Sequence, residues 1–168
     1  MWFRRISHLK DWRGCRSSDT KRKTALCNDV RLRDGEDGLS LYRVQGYTDA
    51  RRVAALYRMV NRPDPGRLDY LVIPDDLLNE FQVLPCPYAE MPSVLRDIHH
   101  EIKGWTVDDA AHLVEKLISH AAAATDDAKP WDKLTEADLL TIVPGLLRDH
   151  PELLDFLDGR WIELIRGT

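Results

Sequence analysis

Three cysteines, Cys15, Cys27 and Cys86, are all that the 168 residues contain, and no two of them form a CxxC pair. An odd, widely spaced set of thiols excludes a disulfide framework and points to a reducing cytoplasm. No apolar run approaches the roughly 18 residues that a membrane-spanning helix needs, so no membrane role is expected. Residues 1–8 lack the apolar stretch of a secretory signal. Catalytic punctuation is missing too. There is no GxSxG elbow and no HExxH pair, and Gly46-Tyr47-Thr48-Asp49 is too short and too acidic for a phosphate loop. No helix-turn-helix, zinc-finger or RNP-like pattern is present. The sequence therefore implies no cofactor and no metal.

What is there belongs to one ordinary folded domain. The composition is 43% hydrophobic and 31% charged, and the length suits a single core spanning residues 1–168. The clearest structural signal lies in residues 39–74. Residues 39–44 and 68–73 read as strands, the second stopped by Pro74, which cannot donate to a sheet ladder. Between them, residues 49–61 place Val53, Leu56, Tyr57 and Val60 on one helical face. This is a β-α-β unit, expected to bring its two strands together in parallel. The fold class that follows is α/β or α+β: a small mixed sheet on that unit, helices packed against it, and a short helical C-terminal segment.

Around this core of residues 39–123, the basic segment 1–38 offers a short strand at 2–6, a loop over 11–23, and Val30 and Leu32 as a hairpin partner for the strand at 39. Residues 77–81 suit a helical turn, and 83–88, with Pro85 and Pro87, an edge strand or covering loop. Pro92 opens a helix that presents Leu95, Ile98 and Ile102 and stops at Gly104. Thr106 and Asp109 form a capping box for the most regular helix, whose stripe runs from Val107 to Ala122. In the C-terminal segment 124–168, residues 124–133 are a connector, short helices span 136–143 and 152–157, and 161–165 alternates like a strand that a helix end would also fit.

Charge is divided along the chain. Residues 1–67 carry 16 Lys and Arg against 8 Asp and Glu, and residues 68–168 carry 8 against 20, behind a formal net charge of -4. The halves either neutralise each other on folding or leave a basic surface for an anionic partner. Arg51, Arg58 and Arg62 cluster opposite the apolar face of the crossover helix. They form either a solvated stripe or a contact for phosphate or a carboxylate-rich partner.

Asp75 and Asp76, with Glu80, form the best acidic constellation, since carboxylates at a strand's carboxyl edge can hold a hard cation, although they also cap helical turns. His99, His100 and Glu101, placed on a helix, do not share a face, so His99 reads as partly buried and His100 as solvated. Cys86, between two prolines, reads as a structural thiol. Three functions remain in order. The first is a non-enzymatic interaction module in a larger cytoplasmic assembly, taking an acidic protein partner through Arg51, Arg58 and Arg62. The second is nucleic-acid binding by the basic half, whose Trp2, Phe3, Trp12 and Tyr47 would stack bases. The third is a metal-dependent hydrolase using Asp75, Asp76 and Glu80 with His99 or His100 as base. Homo-oligomerisation stays open.

Overall fold

A computed structural model describes residues 1–7, 9–15, 19–32, 38–61, 65–125 and 129–166. The chain forms one α+β domain around a six-stranded sheet. In chain order the elements are β1 (Trp2–Ile6), α1 (Leu9–Gly14), α2 (Thr20–Val30), β2 (Gly38–Arg43), α3 (Tyr47–Asn61) and β3 (Leu68–Ile73). There follow a 3₁₀ turn (Asp75–Leu78), β4 (Val83–Pro85), α4 (Ser93–Arg96), β5 (His99–Lys103), α5 (Val107–Ala123) and β6 (Trp131–Leu134). The chain closes with α6 (Glu136–Asp149), a second 3₁₀ turn (Pro151–Phe156) and α7 (Gly159–Arg166).

The strand order is β4-β5-β2-β1-β3-β6, and each neighbouring pair runs antiparallel. The expected β-α-β unit is present with a difference. β2 and β3 point the same way, but β1 lies between them, so the two strands do not pair. Trp2 and Phe3 of β1 face opposite sides of the pleat and are 7% and 0% exposed, which suits a strand in the middle of a sheet covered on both faces.

One face carries Phe3, Tyr42, Tyr70 and Val72 against α3, α6 and Trp161 of α7. The other carries Trp2, Leu39, Leu41, Leu71 and Ile73 against α1, α2 and α5. α3 and α5 form where their apolar periodicity predicts, and the capping box of Thr106 and Asp109 is made in both directions. The helical turn expected over 77–81 begins earlier, as the 3₁₀ turn Asp75–Leu78, and the edge strand expected within 83–88 is β4.

Elsewhere the structure corrects the sequence expectations. Residues 11–23 are not a loop, since most of them lie in α1 and α2, and Val30, expected in a hairpin with the strand at 39, ends α2 instead. α2 is mostly polar, and only Leu26, Asp29 and Val30 are buried, at spacings of three and four. The composition of residues 34–38 suits a turn before the strand at 39; Gly38 opens β2, and residues 34–37 lie outside the described residues. The helix expected from Pro92 to Gly104 ends after one turn, and residues 99–103 form β5, paired with β2 and β4. Gly104, at φ +67, ends that strand.

The connector at 124–133 contains most of β6. α6 runs on through Pro144 because Leu139, Val143 and Leu146 keep one face on the core. Residues 161–165 belong to helix α7, at whose start Asp158 Oδ1 accepts from the backbone N–H groups of Arg160 and Trp161 at 3.1 and 3.3 Å. Among the described residues no helix is long and apolar enough to cross a membrane.

Candidate functional site

The three arginines singled out by the sequence do not share one solvated face. Arg51 Nη2 donates to Asp138 Oδ1 at 2.6 Å and Arg51 Nη1 to Asp132 Oδ2 at 3.3 Å, which turns its charge toward β6 and α6. Arg58 is buried, only 9% exposed. Arg62 lies outside the described residues.

The acidic constellation is likewise dispersed. Asp75 accepts from the N-terminal ammonium at 3.0 Å and from Arg43 Nη1 at 2.8 Å. Partial burial alone would raise its carboxyl, but that ammonium and the Arg43 guanidinium outweigh it and hold Asp75 below the usual carboxylate range. Asp76 is exposed. Glu80 sits against α5, paired with Lys116 and with His112 at 3.0 Å. These three residues do not bring three ligand atoms together. Among the described residues, the group that does is Cys86, His99 and Glu101.

Ion pairs between the basic and acidic halves account for part of the charge asymmetry. Lys23 pairs with Glu115, Arg43 with Asp75, Arg51 with Asp132 and Asp138, and Arg52 with Asp149. Positive charge nevertheless gathers at one end of the sheet. There β1 ends opposite the beginning of β3, with Ile6 beside Asp69 and Arg5 beside Tyr70.

The start of α1 and the outer half of α3 close over these strand ends, leaving an open cleft of about 680 Å³. Arg5, Lys10, Arg58 and Arg67 line it, with Asp11 and Asp69 as the carboxylates among its walls. Arg67 grips Asp69 with two bonds, Nε to Oδ1 at 2.5 Å and Nη2 to Oδ2 at 2.9 Å, which spends one positive charge on its neighbour. Among the described lining residues, four cations meet two carboxylates. Because Arg58 is buried, its charge is screened by water less than that of an exposed side chain.

No protein-family model, curated protein or solved structure matches this chain.

Of the cleft residues, the sequence marked Arg58 alone. Arg5 and Lys10 lie far from Arg67 in the chain, and they meet it because β1 pairs with β3. A trace was present in the concentration of positive charge before residue 68 and in Arg5 near the end of an aromatic strand. The aromatic residues proposed for base stacking lie elsewhere. Trp2, Phe3 and Trp12 are 7%, 0% and 0% exposed, and Tyr47 is half-buried against the core.

Proposed function

We propose that this domain is a non-enzymatic interaction module of a larger assembly, and that it receives an acidic segment of its protein partner in the cleft of Arg5, Lys10, Arg58 and Arg67. The observation that carries this reading is the meeting of four cationic side chains, from β1, α1, α3 and the residue just before β3, in one open concavity. Its volume falls within the range of about 300–1,000 Å³ typical of clefts that hold a discrete ligand. Guanidinium groups are suited to carboxylates because their planar forks pair with both oxygens.

Nucleic acid is the less favoured occupant. None of the described residues lining the cleft is a tryptophan, tyrosine or phenylalanine, so none of them offers bases a stacking platform beside the charge. Asp11 and Asp69 would also repel a continuous phosphate backbone, while an acidic peptide can place its carboxylates between them. The hydrolase reading has less support again, because Asp75 and Glu80 are engaged in separate ion pairs.

Fluorescence anisotropy with a labelled poly-glutamate peptide tests the proposal. The wild type is expected to bind, and the double variant Lys10→Glu/Arg67→Glu to bind at least about tenfold more weakly, a loss of about 1.4 kcal/mol. Arg51→Glu should leave binding unchanged. A labelled single-stranded oligonucleotide that binds more tightly than the peptide, with the same loss in the double variant, would favour the nucleic-acid reading instead.

A further inference from the structure

The outer edge of the sheet, away from the basic cleft, holds a second arrangement. Cys86 follows β4, His99 opens β5, and Glu101 stands two residues farther on the same side of the pleat. One ligand atom from each of the three lies within 4.8 Å of the other two. His99 and Glu101 are each 1% exposed, whereas Cys86 is half-buried and reachable from solvent.

The histidine is anchored through one ring nitrogen. Its Nδ1 bonds to the backbone carbonyl of Cys86, and because a carbonyl only accepts, that nitrogen carries the proton. Nε2 is then left with its lone pair, and this buried atom has no hydrogen-bond partner. An imidazole anchored through one nitrogen on a carbonyl, with the other nitrogen bare, is the usual posture of a metal-bound histidine.

The carboxylate is held just as firmly. Tyr88 Oη donates to Glu101 Oε1 at 2.5 Å, and Lys103 Nζ to Oε2 at 2.6 Å. Lys103 is 42% exposed, so it can turn into solvent when another cation takes its place. Gly38 keeps the space clear, since a Cβ there would come within 2.9 Å of Glu101 Oε2. The rings of Tyr42 and Tyr88 stand about the imidazole, each with its centroid 5.0 Å away.

The geometry points to a binding site for a divalent ion of the zinc class, with Cys86 Sγ, His99 Nε2 and a Glu101 carboxylate oxygen as its protein ligands. Sulfur, nitrogen and oxygen together suit zinc, whereas magnesium and calcium want oxygen alone. Bonds of roughly 2.0–2.3 Å in a tetrahedron set ligand atoms about 3.3–3.7 Å apart, so binding needs a contraction of about 1 Å at the longest separation. Binding forms the metal–sulfur bond and releases the Cys86 thiol proton to solvent, with no change of oxidation state. The fourth position, on the side where Cys86 meets solvent, is left to water. The ion would tie the edge strand β4 to β5. This site stands independently of the basic cleft, which lies at the ends of β1 and β3.

Cobalt(II) titrated into the metal-free full chain reads the site directly. A near-ultraviolet thiolate-to-cobalt band is expected, displaced by zinc and lost in Cys86→Ser, and retained in the Cys15→Ser/Cys27→Ser variant. Zinc should raise the melting temperature of the wild type but not of Cys86→Ser, whose zinc affinity should fall more than about 100-fold, beyond the loss typical of altering an outer-shell partner. Absence of the band in the folded wild type overturns the site, as does a band that survives Cys86→Ser and disappears in Cys15→Ser/Cys27→Ser.

Discussion

Arg51 and Asp138 are joined by a 2.6 Å bond from Nη2 to Oδ1 that fastens α3 to the first turn of α6. The same carboxylate closes the capping box of α6, accepting from the Thr135 backbone N–H and hydroxyl at 2.8 and 2.6 Å. Arg51 is therefore a structural residue. Arg51→Ala should lower unfolding free energy by about 1 kcal/mol, the upper end for a partly solvated pair, measured by urea denaturation. Binding of poly-glutamate should be unchanged in this variant.

Asp138 also gives the fold a pH dependence. The Thr135 hydroxyl, then the Thr135 backbone N–H and Arg51, hold its carboxyl below the ordinary aspartate value, against the opposing effect of partial burial. A carboxyl depressed in the folded state contributes stability above its unfolded pKa, and that contribution is lost as pH falls through the lower folded value. Wild-type stability should therefore decline below about pH 4. Asp138→Asn should lose about 1 kcal/mol at pH 7, the scale of a lost cap, and show a shallower acid decline. Urea midpoints at pH 7 and pH 3 for both proteins check this.

Much of the framework was legible because it depends on local pattern. The stripes of α3 and α5, the Thr106 cap and Pro74 at the end of β3 are each visible in a short window. The failures arise where partners distant in sequence decide the outcome. Nothing within residues 39–74 shows that β1 inserts between β2 and β3. The segment from Pro92 to Gly104 satisfies a helical period through Leu95, Ile98 and Ile102, yet β2 and β4 recruit its second half as a strand. That change of period put His99 and Glu101 on one face, where a helix would have separated them. Polar α2 was hidden because only three of its side chains are buried.

Gly38 is a tight point of the sheet. A Cβ at this position would approach Glu101 Oε2 to 2.9 Å and the Ile102 carbonyl oxygen to 3.1 Å. Gly38→Ala should destabilise the domain by about 1–3 kcal/mol, as overpacking commonly does. Thermal unfolding in the presence of a chelator measures this without any contribution from bound metal.

The buried Asp29 organises the first two helices. Its Oδ2 accepts from the Trp12 indole N–H at 3.0 Å and its Oδ1 from the Ser7 backbone N–H at 2.8 Å. Asp29→Ala leaves both donors without this acceptor, and the buried Trp12 indole N–H left unmet costs about 1–3 kcal/mol. The expected loss is at least about 1 kcal/mol in urea denaturation, accompanied by a change in Trp12 fluorescence as its indole loses that partner.

The most direct measurement of the proposed function is an amide chemical-shift map of the full chain titrated with poly-glutamate. Shifts concentrated at Arg5, Lys10, Arg67 and Asp69, saturating together and weakening as salt is added, are the predicted result. Shifts centred on Arg51 and Arg52, or none at peptide concentrations that saturate basic surfaces of comparable charge, would contradict it.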